Sequence, residues 1–127
     1  MRLILVRHAK AASGTPDALR PLTPEGREAA QALGQELRAK RPDAVLSSPL
    51  LRAHETAAPI AEAAGVELET DERLLPGATL SDIRSAVAGR GETVVVVGHQ
   101  PDLSEIVYVL TGDEVPFRPG AYAEVEL

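Results

Sequence analysis

Four consecutive valines, Val94 to Val97, stand between Thr93 and the pair Gly98-His99. The run does not alternate with polar residues. A strand built from it is therefore buried on both faces, as at the centre of a parallel sheet. Such a sheet needs helices on both sides, and the rest of the chain has the patterns to supply them. Leu3 to Val6 is a second apolar run, ending in Arg7-His8, and Ala44-Val45-Leu46 is a third. Val66 to Leu68 reads as a short further strand, and Ala121, Ala123, Val125 and Leu127 alternate with polar residues in a half-exposed final one. Between these runs, Thr23-Pro24 is an N-cap followed by proline at the first helical position. Ala29, Ala30, Leu33 and Leu37 then recur at helical spacing, and that helix is expected to end near Lys40-Arg41, ahead of Pro42. A second helix carries Ala53, Ala57, Ile60, Ala61 and Ala64, with Gly65 after it and Pro59 expected to kink or break it. Leu80, Ile83 and Val87, behind a Thr79 or Ser81 cap, predict a third. Leu103, Ile106, Val107 and Leu110 predict a fourth. Strands alternating with helices predict an α/β fold with a mainly parallel sheet, as one domain over residues 1–127.

Composition narrows the function. With no cysteine, disulfides and thiolate metal sites are excluded, which fits the cytoplasm. No signal-peptide pattern follows Met1-Arg2, and no apolar stretch is long enough to span a bilayer. The net charge of −6 repels nucleic acid and anionic membranes at long range. An anionic ligand therefore needs a local basic pocket. The segment from Arg2 to Lys10 is basic, with no acid before Asp17.

Three strand ends carry chemistry. The first ends in Arg7-His8, the second runs into Ser47-Ser48-Pro49-Leu50-Leu51-Arg52, and the valine strand ends in Gly98-His99-Gln100-Pro101. If the strands are parallel, all three ends meet at one edge of the sheet, where α/β folds bind ligands. Two arginines and two histidines then share a crevice. The forked donors of arginine suit phosphoryl oxygens. Fixed cations also hold an imidazole neutral and able to attack, and two histidines let one attack while the other donates hydrogen bonds. No glycine-rich P-loop is present, so side chains must grip the phosphate. The same cations repel a divalent metal, and no Asp or Glu is expected among them.

These segments resemble those of the histidine phosphatase superfamily, the phosphoglycerate-mutase-like phosphatases, and within it the small SixA-type phosphohistidine phosphatases. The matching pieces are Leu5-Val6-Arg7-His8, Arg20-Pro-Leu-Thr23-Pro-Glu-Gly26, Ser47-Ser-Pro49-Leu-Leu-Arg52-Ala53, Thr56-Ala57 and Val97-Gly98-His99-Gln-Pro101, in order along nearly the whole chain. The resemblance implies a three-layer fold and a metal-independent phosphatase without organic cofactor. It implies His8 as the nucleophile that becomes phosphohistidine. Arg7, Arg52 and His99 would then line the phosphate pocket, with His99 also assisting transfer. The implied partner is a phosphohistidine protein or a small phosphorylated compound.

Two departures stand out. Ala9 occupies the glycine position of the usual Arg-His-Gly motif, so ordinary or slightly strained backbone is expected there. The region after the third strand, Leu74-Leu75-Pro76-Gly77, lacks the carboxylate that many relatives use to protonate an alkoxide. Glu72 and Asp82 are the nearby candidates, and Lys10 is either at the pocket rim or solvated. An imidazole leaves more easily than an alkoxide, which favours phosphohistidine or activated esters as substrate. The alternatives are a small-molecule phosphomonoesterase with a recruited donor, and a phosphate-binding module without turnover.

Overall fold

A computed structural model describes all residues from Met1 to Leu127. Five strands form one sheet in the order β3-β2-β4-β1-β5. They are β1 (Arg2–Arg7), β2 (Ala44–Ser47), β3 (Leu68–Thr70), β4 (Thr93–Gly98) and β5 (Tyr122–Glu126). The first four are mutually parallel, and β5 pairs antiparallel along the outer side of β1. The valine run occupies the central strand, and every residue of β4 is buried.

Alternation along the strands divides the core into two layers. Leu3, Leu5, Leu46, Val94 and Val96 face one side, where Ile83, Val87, Leu103 and Ile106 cover them. These four come from α3 (Leu80–Val87) and α4 (Asp102–Thr111). Ile4, Val6, Val45, Val95 and Val97 face the other side, against Leu33, Leu37, Ala57 and Ile60. Those belong to α1 (Pro24–Arg38) and α2 (Leu51–Ala64). The result is a three-layer α/β fold with helices on both faces of a mainly parallel sheet. No helix is long and apolar enough to cross a membrane.

The caps form where side-chain chemistry allows. The Thr23 hydroxyl accepts from the Gly26 amide at 3.0 Å. Thr79, rather than Ser81, caps α3 and makes a reciprocal capping box with Asp82. Gly65 ends α2 in the left-handed conformation at φ 72°.

Three boundaries differ from expectation. α1 stops at Arg38, before Lys40-Arg41. β3 begins at Leu68, two residues after Val66, because its pairing with β2 starts at Val45↔Leu68. Pro59 neither breaks nor ends α2, which runs through it. Proline deprives the Glu55 carbonyl of its helical donor, but packing holds both flanks in place. Ala57, Ile60 and Ala61 are all buried around the proline. Across from them, Gly34 of α1 lies so close that a Cβ there would sit 2.7 Å from the Pro59 oxygen. Tertiary contact thus overrides a local helix breaker.

Candidate active site

The parallel order sets β1, β4 and β2 side by side, so their C-terminal ends open on one crevice. Arg7 is the register partner of Gly98. The His8 amide donates to the Gly98 carbonyl at 3.2 Å, and the Ser48 amide to the Val97 carbonyl at 3.1 Å. These bonds hold the three chemistry-bearing segments together. The His8 and His99 rings lie with centroids 5.4 Å apart, tilted by 54°.

His8 has a defined tautomer. Its Nδ1 lies 2.8 Å from the Ala9 carbonyl oxygen. A carbonyl oxygen can only accept, so Nδ1 carries the proton and Nε2 holds the free lone pair. Burial lowers the His8 pKa below 6.5. The Ala9 hydrogen bond opposes that shift, and the charges of Arg52, Arg7 and Arg20 add to it. His99 is 4% exposed, and neither of its ring nitrogens has a hydrogen-bond partner. An orphaned buried donor or acceptor costs about 1–3 kcal/mol, so a purely structural histidine is normally satisfied. Burial, then the proximity of His8 and Arg52, pushes the His99 pKa down to about 4.

The cations are anchored from separate elements. Arg7 donates through Nη1 to the Phe117 carbonyl at 2.9 Å, leaving its buried Nε without a partner. Arg52, in the first turn of α2, is 7% exposed. A cation at a helix N-terminus is disfavoured by the helix dipole, so it needs a partner. That partner is Asp17. The two terminal nitrogens of Arg52 reach the Asp17 carbonyl at 3.1 Å and its carboxylate at 3.2 Å.

Asp17 corrects the expectation that no Asp or Glu stands among the arginines. It sits in a short 3-10 turn, Asp17–Leu19, that folds over the start of α2. Arg20 holds the other carboxylate oxygen at 3.0 Å and donates through Nε to the Ala12 carbonyl at 2.8 Å. The hydrogen bond from Arg20, with the charge of Arg52 beside it, keeps the Asp17 carboxyl below its ordinary range. Asp17 and Arg20 lie in a loop without periodicity, so pattern alone does not single them out. The one available signal was the basic Arg20 inside a matched motif.

None of the other candidates hydrogen-bonds to either ring. Lys10 is exposed and ion-paired to Glu25 at 3.1 Å. Glu72 is exposed, in a 3-10 turn. The Asp82 carboxylate accepts from the Thr79 amide and hydroxyl, which holds its pKa down. A carboxyl so held is a poor proton donor near neutrality. Ala9 is buried, and its φ is outside the left-handed region. The smaller residue is thus dispensable for the turn after His8. No group of three or more His, Asp or Glu residues is arranged to hold a metal ion.

One further residue ties the parts together. The Thr56 hydroxyl, fully buried, accepts from the Ala9 amide at 2.9 Å and donates to the Arg52 carbonyl at 2.8 Å. A single oxygen thus fixes the chain after His8 relative to the helical turn that carries Arg52. Thr56→Val should lower kcat about tenfold while Thr56→Ser retains most of it, since small misplacements of reacting groups are costly. Steady-state kinetics on both variants, with circular dichroism as a folding control, check this. Equal rates for valine and threonine would remove the hydroxyl from the design.

A family model described as the histidine phosphatase superfamily (branch 1) matches residues 3–75, a span that holds Arg7, His8 and Arg52. An uncharacterized protein of Mycobacterium tuberculosis is 39% identical over 112 residues, covering 83% of this chain and 69% of the relative. Among solved structures, the protein histidine phosphatase SixA complexed with tungstate superposes with a TM-score of 0.87 at 25% identity, over 100% of this chain and 88% of that one. A mycobacterial glucosyl-3-phosphoglycerate phosphatase shares the fold, with a TM-score of 0.75 at 17% identity over 97% of this chain and 88% of that one.

Proposed function

The chain belongs to the histidine phosphatase superfamily, and we propose that it is a phosphatase acting through a phosphohistidine intermediate on His8, with phosphohistidine in proteins as its substrate. One observation carries the reading. An imidazole of fixed tautomer faces a second, unpartnered imidazole among anchored guanidinium groups, and the carboxyl bonded to those groups, Asp17, is held below its ordinary range. In the first step Nε2 of His8 attacks phosphorus, and the bond to the leaving imidazole breaks. The other ring nitrogen of that imidazole is protonated from solvent before attack, so it takes the bonding pair and leaves as neutral imidazole. In the second step water attacks phosphorus of phospho-His8, the P–N bond breaks with its pair returning to Nε2, and inorganic phosphate departs with both water protons, leaving His8 neutral with its proton still on Nδ1. Arg7 and Arg52 neutralise the equatorial oxygens, and His99 donates to the group in transit. An alkoxide would need a poised acid, whereas an imidazole leaves without one. The likeness to SixA supports the same substrate class.

Rapid acid-free quenching during turnover of a phosphohistidine peptide tests the reading. Acid-labile, base-stable phosphate should be captured on His8. Turnover with no phosphoenzyme at any time point counts against it.

The lowered pKa of His8 sets the pH profile. The neutral, attacking form persists below the ordinary imidazole value of 6.5, so kcat/KM should hold its plateau to that pH and fall only on further acidification. A limb centred above 6.5 would contradict the burial of His8 and the cations around it. Stability follows the same sign. His99 binds a proton less readily folded than unfolded, so its contribution is intact above 6.5 and is lost as pH falls towards about 4.

A further inference from the structure

Leu19, Tyr108 and Val109 are the large apolar side chains that the fold leaves exposed. Two of them adjoin on the outer face of α4, 55% and 67% exposed. With Val115 and Pro116 they floor an open groove of about 710 Å³, and Glu105 and Glu114 stand at its rim. Asp113 lies next to Glu114 in the chain, and none of these three carboxylates is in an ion pair. Single exposed apolar residues are ordinary on a protein surface, but here two adjoin over a groove with an acidic rim.

The groove is joined to the phosphate pocket at two points. Gln100, next to His99, exchanges hydrogen bonds with Ser104 at 2.7 and 3.0 Å, and the Ser104 hydroxyl donates to the Val115 carbonyl at 2.6 Å. Two residues further on, the Phe117 carbonyl receives Arg7. Two residues of chain span at most about 7 Å. The head of the groove therefore lies beside the arginine of the phosphate pocket.

We propose that this groove docks the protein substrate, binding a segment that carries an apolar side chain flanked by Lys or Arg close to the phosphorylated residue. The inference rests on the phosphohistidine-protein reading above. The apolar floor calls for an apolar anchor. The charged groups of the rim are carboxylates only, so they favour a cationic flank and disfavour an acidic one. A small phosphoester has no flanking chain to lie along the groove. A second copy of this chain, at −6 overall, would bring like charges onto the patch. The site thereby divides its labour, with arginines for the phosphate and glutamates for the residues around it.

The test uses the whole chain, two short phosphohistidine peptides and para-nitrophenyl phosphate. One peptide has Leu and Lys around the phosphohistidine, and the other has Ser and Glu. The wild type should prefer the first in kcat/KM by about tenfold. The double variant Tyr108→Ser with Val109→Ser should lose that preference through KM, and so should Glu105→Lys with Glu114→Lys. Hydrolysis of para-nitrophenyl phosphate should be unchanged in both. These residues are exposed, so the fold tolerates the substitutions, and the unchanged small-ester rate verifies it. Wild-type turnover of both peptides with equal kcat/KM, or groove variants that match the wild type, overturns the groove and leaves the phosphatase reading intact. Turnover of the small ester but of neither peptide overturns the substrate class, and the groove with it. Self-association of the wild type in ultracentrifugation that the double serine variant abolishes assigns the patch to a second copy and also overturns the proposal.

Discussion

Replacing His8 with alanine should leave a folded protein that still binds a tetrahedral oxyanion and hydrolyses nothing at a useful rate. The expected loss in kcat is about 10⁴-fold or more, because the proposed covalent route loses its nucleophile while the electrostatic pocket survives. Arg7, Arg52 and His99 are held by elements other than the His8 side chain. Arg7 is anchored on Phe117 and Arg52 on Asp17. Vanadate or tungstate affinity should therefore change far less than rate. Calorimetry of oxyanion binding, alongside single-turnover kinetics, separates the two quantities. A His8→Ala protein that keeps a tenth of the parental rate would shift the nucleophile elsewhere.

Arg52 should matter next most. Its removal as Arg52→Ala should cut kcat/KM by roughly 10²–10³, the range for loss of a preorganised group facing developing charge. Arg52→Lys should recover only part of this. The two terminal nitrogens of Arg52 work as a fork, and a lysine ammonium lacks that fixed planar geometry. The acidic limb of the pH profile should also move. Burial is the foremost cause of the low His8 pKa, and Arg52 is the foremost charge acting in the same direction. Losing it should raise the limb toward the ordinary imidazole value. The Asp17 side chain is exposed, so it is not stranded when its partner goes, and the fold should persist. An unchanged limb with a lowered rate would mean that Arg52 acts by geometry alone.

Much of this could be read in the sequence because it depends on short-range rules. Four valines without alternation define a central strand. Parallel order then brings the residues after Val6, Val97 and Ser47 to one edge, whatever the details of the helices. Thr23, Thr79 and Gly65 act through their own backbone neighbours, so their roles as caps are visible locally. Pro59 behaved otherwise because Gly34, distant in sequence, receives its carbonyl. Asp17 and Arg20 were hidden for a similar reason. They sit in an irregular loop and gain their meaning from Arg52, more than thirty residues on. Thr56 stood in a matched motif, yet only the folded chain shows its oxygen bonded to both Ala9 and Arg52.

The Asp17–Arg52 pair also bears on how fast the site can empty. A phosphoryl group that takes the Arg52 fork exchanges with an ionised carboxylate rather than with bulk water. Part of the attraction is spent on separating a pair already formed, so the grip on inorganic phosphate is looser than a count of arginines implies. Asp17 remains tethered on Arg20 throughout and can return to Arg52 as the product leaves. A resident competitor of this kind should limit inhibition by inorganic phosphate, and Asp17→Ala should lower the Ki for phosphate relative to the parent.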